Sequence, residues 1–320
     1  MKELWFIIRD TLDQRSPQKI NYYALVPKKI GDPQNKVPVF ENLSQCLDRF
    51  NTSIATKIPG RILSVETQIR KISRKNHNPE RLILKGTPFS KRTAAFVFFI
   101  RIFYEYSETK GEEEIGIADF VPKKIETKGT QGSTAYEPFH QLVHKASQWY
   151  AEQRYIRFCN AQTLHLKLKN GRIDTQTFCH RVNKYKKNDY IKILRVVFIK
   201  LPEVANVSSP LRLTCKTIYP YRLRKGAFVY KYEKLTAVKE RLQKWLQLTG
   251  ARVFNIETSA IRIKLGECRN EINTNITFHR TCFKAGWIYV FRLYLEGNYE
   301  EPSEDLMPPI PVVHNCCTIS

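Results

Sequence analysis

The stretch Arg252-Val253-Phe254-Asn255-Ile256-Glu257-Thr258 has two earlier counterparts in the chain. They are Arg157-Phe158-Cys159-Asn160-Ala161-Gln162-Thr163 and Arg61-Ile62-Leu63-Ser64-Val65-Glu66-Thr67. The closing threonines are 96 and 95 residues apart, and a glutamate recurs ahead of each copy, at Glu41, Glu137 and Glu233. This spacing predicts three tandem units of about 96 residues, each the size of a small domain.

A helix and a strand are predicted around each copy of this stretch. Apolar residues at helical spacing precede it, and their stripes begin at Leu43, Phe139 and Leu235. The stretch itself alternates apolar and polar residues, which predicts a strand that is covered on one face only. In the third copy the alternation assigns Phe254 and Ile256 to the core.

A strand with an arginine at its centre is predicted after each copy, at Arg101, Arg195 and Arg292, with an equivalent strand at Trp5–Leu12. Each unit therefore has the order β-β-α-β, or equivalently α-β-β-β, because the first and last strands are alike. One helix for each sheet predicts the α+β class with mainly antiparallel pairing.

The period divides the chain into four segments. Residues 1–93 form repeat unit 1, residues 94–188 form repeat unit 2, and residues 189–296 form repeat unit 3 with an extra terminal strand. Residues 297–320 are acidic and rich in proline, which predicts an extended C-terminal tail.

The chain carries a net charge of +23, although its tail is acidic. Such an excess indicates a partner of opposite sign: an anionic membrane surface, an acidic protein or a nucleic acid. No apolar run approaches the ~20 residues that a membrane-spanning helix needs. The N-terminus lacks the apolar core of a signal peptide. The eight cysteines include no CxxC pair, which favours free thiols in the cytoplasm or the nucleus.

The last four residues, Cys317-Thr318-Ile319-Ser320, fit the C-a-a-X prenylation pattern, and serine at the last position favours farnesyl. One such chain holds a membrane only marginally, so a second signal is needed. Acylation of the adjacent Cys316 or a basic face of the repeat body could supply it. The motif predicts a lipoprotein on the cytosolic face of a membrane, and a chance C-terminal sequence is the alternative.

Two interpretations apply to the cationic residues that recur in the repeat. They could bind the phosphates of lipid headgroups or of nucleic acid. Alternatively, each strand arginine pairs with the neighbouring copy of the quoted stretch, at Glu66, Gln162 or Glu257. The candidates are the strand arginines Arg101, Arg195 and Arg292 and the lysine pairs Lys28, Lys29, Lys123 and Lys124.

Motifs of enzymes do not occur in the sequence: there is no P-loop, dinucleotide fingerprint, nucleophile elbow or zinc-protease motif. We therefore expect a protein without catalytic residues, cofactor or metal. The first hypothesis is a prenyl-anchored interaction or scaffold protein with a basic repeat body, peripheral on a membrane. The alternative is a nucleic-acid-binding protein that uses the same basic surface, located in the nucleus.

Overall fold

The computed structural model describes residues 19–31, 39–72, 93–110, 113–125, 135–183, 186–202, 212–225, 230–264, 272–281 and 285–311. Within these ranges the fold is mixed α+β, with mostly antiparallel sheets and three α-helices, as the sequence predicts. The predicted strand Trp5–Leu12 lies outside the described residues.

The helices are α1 (Leu43–Ser53), α2 (Phe139–Glu152) and α3 (Leu235–Thr249). The strands are β1 (Ile20–Leu25), β2 (Lys29–Gly31), β3 (Val39–Phe40), β4 (Pro59–Ile72), β5 (Thr93–Lys110), β6 (Glu114–Phe120), β7 (Lys124–Ile125), β8 (Ala135–Tyr136), β9 (Ile156–Lys167), β10 (Cys179–Asn183), β11 (Asp189–Lys200), β12 (Leu213–Ile218), β13 (Arg222–Lys225), β14 (Tyr230–Tyr232), β15 (Arg252–Lys264), β16 (Phe278–Arg280) and β17 (Ala285–Glu296).

The chain packs as two compact bodies. Among the described residues, the β5 body contains those within Ile7–Val121 and Gln153–Ser209, and the β17 body contains those within Pro122–Glu152 and Pro210–Ser320. Each body draws on more than one of the predicted repeat units, so packing and sequence period divide the chain differently. The unit boundaries given above stay a prediction.

In the β5 body, the long strand β5 is the centre of one sheet. It pairs antiparallel with β4 along one edge, and β1 and β10 share the other edge. A second sheet has β11 at its centre, with β6 and β9 on either side. Gly116 of β6 lies opposite Phe198, and a Cβ at this glycine would be 2.2 Å from the ring, so the close approach requires glycine here.

In the β17 body, the strand order is β12-β17-β15. Helix α3 packs on this sheet through Val238, Leu242 and Trp245, which join buried residues from all three strands in one core cluster. Gly250 ends the helix with a φ of 58°. Glycine is common at this position because the left-handed conformation costs it little.

The pairing register confirms the neighbours predicted for the strand arginines. Glu66 lies opposite Arg101, and Glu257 lies opposite Arg292. In the β11 sheet, Gln162 lies opposite Arg195.

Each copy of the quoted stretch contains a β-bulge that the alternation did not predict. The ladder skips Leu63 in β4, Cys159 in β9 and Phe254 in β15. A bulge adds one residue to a strand, so side chains before and after it that face the same way are three positions apart rather than two.

The predicted strand faces are therefore wrong at the bulges of β4 and β15, where Leu63 and Phe254 are only partly buried, whereas Cys159 at the bulge of β9 is buried as predicted. Val253, and not Phe254, belongs to the α3 core cluster, and Phe254 is only partly buried. The prediction that one face of the strand is exposed to solvent is also wrong for β9, where Asn160 on that face is buried.

The helices lie where the apolar stripes place them, with one difference. Leu43 and Phe139 are buried at the starts of α1 and α2. Leu235 at the start of α3 is 41% exposed, although the same stripe predicts it in the core. Helix α1 also begins with a capping box, formed by Asn42 and Gln45.

Candidate functional site

The first lysine pair lies on a short hairpin of β2 and β3 in the β5 body, the Lys28 hairpin. The Lys28 N–H donates to Glu41 Oε2 at 2.9 Å, and the Glu41 N–H donates to the Lys28 carbonyl at 2.9 Å. The backbone is thus fixed, while the side chains of Lys28, Lys29 and Ile30 are exposed, Ile30 by 58%.

Arg49 of α1 holds the glutamate of this hairpin. Its guanidinium donates to both oxygens of Glu41 and to the Val26 carbonyl at 2.8 Å. Burial raises the pKa of Glu41, but the hydrogen bonds from Arg49, from the Lys28 N–H and from Cys46 outweigh it, so the pKa lies below its usual value. The carboxylate is therefore ionised at neutral pH.

The second lysine pair lies on an equivalent hairpin of β7 and β8 in the β17 body, the Lys123 hairpin. Glu137 accepts from the Lys123 N–H at 2.9 Å and from Lys145 Nζ at 2.5 Å. These hydrogen bonds, that of the backbone first, lower the pKa of Glu137. Lys123, Lys124 and Ile125 are exposed, Ile125 by 43%.

A third hairpin, formed by β13 and β14, has the same support without the lysine pair. The Tyr221 N–H donates to Glu233 Oε2 at 2.7 Å, and Arg241 donates to both oxygens of Glu233 and to the Tyr219 carbonyl at 2.6 Å. Tyr221 stands where the other two hairpins have Lys28 and Lys123.

Sequence reasoning found the three glutamates but missed the cations that hold them. Arg49, Lys145 and Arg241 each lie eight residues after the glutamate that they contact. This constant spacing was a signal in the sequence. Each ion pair joins its hairpin to the first turns of the helix that follows.

Two of the three strand arginines are buried. Arg195 is 3% exposed and donates to both oxygens of Asp119, each at 2.7 Å, and to Thr67 Oγ1 at 3.1 Å. Arg292 is fully buried, 4.0 Å above the ring of Phe139. Neither guanidinium faces solvent, so neither is placed to bind an external anion.

Arg101 differs from the other two. Its guanidinium lies 4.6 Å above the ring of Tyr22, an exposed residue of β1. Among the described residues, its buried Nε has no hydrogen-bond acceptor. Of the three strand arginines, Arg101 alone has a buried nitrogen without an acceptor among the described residues.

A cavity of about 630 Å³ lies in the β5 body between β3, the end of β9 and β10. Burial, followed by the charge of Lys167, lowers the pKa of His180 in its wall to about 4. Burial raises the pKa of the neighbouring Cys179 to about 11. At neutral pH the imidazole is a poor base and the thiol is protonated, which disfavours nucleophilic chemistry by this pair.

The described cysteines are free thiols: Cys46, Cys159, Cys179 and Cys215. Burial raises the pKa of both Cys159 and Cys215 to about 12, so these thiols stay protonated. The predicted lipidation sites Cys316 and Cys317 lie outside the described residues.

The C-terminal segment packs on the β17 body up to Met307, which differs from the predicted extended tail. Tyr299 contacts the edge of Trp245 with ring centroids 5.0 Å apart, and Met307 packs against the same core cluster. Glu301 accepts from Trp245 Nε1 at 3.0 Å and forms an ion pair with Lys216. Composition alone predicted extension because it does not show that these apolar side chains have a surface to cover.

Comparison of the chain with protein-family models, curated proteins and solved structures gives no match. None of the described helices is long and apolar enough to cross a membrane. Within the same described ranges, no three His, Cys, Asp or Glu side chains are grouped to hold a metal ion.

Proposed function

We propose that this protein is a non-enzymatic peripheral membrane protein whose basic repeat body contacts anionic headgroups and whose C-terminus carries a prenyl anchor. The observation that carries the proposal is the Lys28 hairpin. It combines a fixed backbone with two exposed lysines and an exposed isoleucine in consecutive positions. The Lys123 hairpin has the same combination.

This combination suits a bilayer surface better than a purely polar partner. Each lysine near an anionic leaflet contributes about 1 kcal/mol of attraction. An isoleucine beside it can enter the boundary between headgroups and acyl chains, as apolar side chains of interfacial elements do. The hydrogen-bonded backbone at Lys28 and Lys123 loses little conformational entropy on contact.

The repeat architecture is part of the proposal: three tandem units of the order β-β-α-β. The positions that support it share the period. The bulges lie at Leu63, Cys159 and Phe254, and the hairpin glutamates lie at Glu41, Glu137 and Glu233. The Asn51 side chain on α1 hydrogen-bonds the backbone of Ile115, the second residue of β6. Similarly, Ser147 Oγ on α2 accepts from the N–H of Leu213, the first residue of β12.

The docked C-terminal segment limits the reach of the anchor. Glu301 is paired with Lys216, so it offers less repulsion to an anionic leaflet than a free carboxylate. Five residues lie between Pro311 and Cys317, so the fully extended chain spans at most about 20 Å from the first to the second. A prenylated Cys317 would therefore hold the β17 body close to the bilayer.

Cosedimentation with vesicles tests the headgroup contact. Unprenylated full-length protein should bind vesicles that contain phosphatidylserine and not vesicles of phosphatidylcholine alone, and salt should weaken the binding. Exchange of both Lys28 and Lys29 for Glu should reduce binding. The matched control exchanges the exposed pair Lys186 and Lys187 in the same way. Equal loss in both variants would mean that net charge alone acts.

Intact-mass measurement in eukaryotic cells tests the anchor. We expect Thr318-Ile319-Ser320 to be removed and Cys317 to carry a farnesyl thioether. Cys317→Ser should release the protein from membranes, and Cys316→Ser should give a mixed distribution. An unmodified Ser320 terminus, together with retention on RNA that Cys317→Ser does not change, would overturn the proposal in favour of nucleic-acid binding.

A further inference from the structure

The cavity beside β10 has the dimensions of a small-molecule site. Its volume is about 630 Å³, within the range of roughly 300–1,000 Å³ that is usual for ligand sites. The described residues that line it come from β3, β5, the end of β9 and β10 with the segments next to them, and all of these belong to the β5 body. The cavity is therefore a feature of one compact body.

One part of the cavity wall is apolar and largely aromatic. Phe98 of β5 and Phe178 before β10 are buried, and Phe40 of β3 is half-buried. Leu166 and Leu168, at and just after the end of β9, are buried in the same wall. This part of the wall can take up the hydrophobic body of a ligand.

Lys167, the last residue of β9, brings a positive charge to the cavity. It is half-buried, and burial lowers its pKa because the ammonium is partly removed from water. Its Nζ donates to the Arg181 carbonyl at 2.6 Å, which uses one of the three donors of an ammonium. No carboxylate among the described residues forms an ion pair with it. Since burial of a charge is unfavourable unless the charge is paired, an anion beside Lys167 would be stabilised.

Two further cations line the cavity, and both are exposed. Arg181 lies on β10, and Lys169 begins a tight turn. The N–H groups of Lys169 and Arg172 each donate to the other's carbonyl at 3.0 Å, and Asn170 and Gly171 between them have φ angles of 52° and 76°. Asn-Gly is the preferred sequence for a two-residue turn with positive φ at both positions. The backbone that carries Lys169 is thus well defined.

The two acidic residues of the cavity wall have other partners. Glu41 forms an ion pair with Arg49. Asp174 Oδ1 accepts from the N–H groups of Gln176 at 2.9 Å and of Thr177 at 3.2 Å, and Asp174 Oδ2 accepts from Thr177 Oγ1. Three cations and two such carboxylates leave the wall with an excess of positive charge.

We propose that this cavity binds a small carboxylate with a hydrophobic body, whose anionic head lies at Lys167 and whose body lies against Phe40, Phe98 and Phe178. A single negative charge suits the site better than a phosphate dianion, because the wall has only one partly buried cation to compensate it. The neutral imidazole of His180 and the protonated thiol of Cys179 favour binding of this ligand over its chemical conversion.

This inference goes beyond the proposed function. The site uses neither the exposed lysine pairs of the two hairpins nor Cys317, and its ligand is a soluble molecule. The test uses unprenylated protein without vesicles. Its failure would therefore leave the headgroup contact and the anchor unaffected, and their failure would leave this site unaffected.

Isothermal titration calorimetry of the full chain measures the affinity. At about 0.15 M salt the attraction between distant surface charges is largely screened. Naphthalene-2-carboxylate should bind at one site. Naphthalene-2-carboxamide has the same body without the charge, so it should bind at least about tenfold more weakly. Decanoate is titrated in the same way, because the wall can also take up an aliphatic body.

Two substitutions locate the binding. Lys167→Met retains the length of the side chain and removes its charge, and Arg181→Gln removes an exposed cation of the cavity. Lys187→Met and Arg172→Gln are the matched controls, because both residues are exposed and neither lines the cavity. Lys167→Met should weaken carboxylate binding at least about tenfold and leave carboxamide binding unchanged. The controls should change neither affinity.

Circular dichroism confirms that each variant is folded, since Lys167→Met also loses the contact with the Arg181 carbonyl. If Lys167→Met does not fold, Arg181→Gln decides the test, and it should bind the carboxylate about threefold more weakly than Arg172→Gln. The proposal is overturned if neither carboxylate binds with a Kd below about 1 mM. It is equally overturned if the carboxamide binds as tightly as the carboxylate, or if the controls lose as much affinity as the cavity variants.

Discussion

Gln162 hydrogen bonds both backbone groups of Thr67. The Thr67 N–H donates to Gln162 Oε1, and Gln162 Nε2 donates to the Thr67 carbonyl, each at 2.9 Å. Strands β4 and β9 belong to different sheets and share no backbone hydrogen bonds of a common ladder. The side-chain amide of Gln162 joins the two strands instead. The two residues lie at adjacent positions in two copies of the same repeated stretch.

Gln162→Ala should therefore destabilise the β5 body. Thr67 is buried, and it would lose the partner of its N–H and of its carbonyl, at a cost of about 1–3 kcal/mol. Urea denaturation measures the change in the free energy of unfolding. Gln141→Ala on α2 is the control, because the Gln141 side chain is exposed. Equal midpoints for the two variants would show that water replaces the amide without cost.

Asp119→Ala should be more costly than Gln162→Ala. It leaves the buried guanidinium of Arg195 without its anion, which costs about 3–5 kcal/mol. Glu114→Ala is the control on the same strand, since Glu114 pairs with Lys200 in solvent and such pairs contribute less than about 1 kcal/mol. Similar unfolding free energies for Asp119→Ala and Glu114→Ala would contradict the assigned role of the buried pair.

The register of the sheets could be predicted because it follows from charge and period. Glu66 and Glu257 were placed opposite Arg101 and Arg292 from their positions in the repeat alone, and the ladder confirms this. The partner of a buried arginine could not be predicted in the same way. Arg195 is held by Asp119 of the other neighbouring strand, and which flank supplies the anion depends on tertiary packing.

The bulges show why the strand faces could not be derived by alternation. Two adjacent apolar residues followed by one polar and one apolar residue occur in each stretch, as in Val253-Phe254-Asn255-Ile256. This pattern agrees with a bulge at the second position, since Val253 and Ile256 then face the same core. Strict period-two reasoning instead places Phe254 there. The ion pairs between the hairpin glutamates and the helix cations were not predicted for a different reason. The glutamate and its cation are eight residues apart, and only the cation lies on the helix.

The two apolar residues beside the third bulge should differ in their contribution to stability. Val253 is 7% exposed in the α3 core cluster, so Val253→Ala should cost about 1.5–3 kcal/mol. Phe254 is only partly buried, so Phe254→Ala should cost less than the ~3–5 kcal/mol of a fully buried phenylalanine. Thermal denaturation of both variants measures the difference. A cost within the fully buried range for Phe254→Ala would restore the alternation and reject the bulge.

His180 should make the β5 body sensitive to mild acid. Its folded-state pKa is about 4, against an ordinary value of 6.5, because it is buried and faces Lys167. Between these values the unfolded chain binds a proton that the folded chain does not, so stability falls as pH decreases from about 6.5 towards 4. The loss between neutral pH and about pH 5 should be about 2 kcal/mol.

His180→Phe removes this proton uptake and retains an aromatic ring against Phe96 and Phe98. Its urea midpoint should change less with pH in the same window. Below pH 4.5 both proteins should lose further stability, since the lowered pKa values of Glu41 and Glu137 make their ionised forms stabilising. Parallel pH profiles above pH 5 for the two proteins would reject the role of His180.

The docked C-terminal segment should stabilise the β17 body independently of any lipid. A chain that ends at Gly297 loses the edge contact of Tyr299 with Trp245 and the acceptor of the Trp245 indole N–H. The exposed apolar surface and the lost hydrogen bond should together cost about 2–4 kcal/mol. A chain that ends at Pro311 retains these contacts and removes only the residues that carry the lipidation motif, so its stability should match that of the full chain. Urea denaturation followed by tryptophan fluorescence compares the three proteins, and equal midpoints for the two truncated chains would show that the segment covers Trp245 without stabilising it.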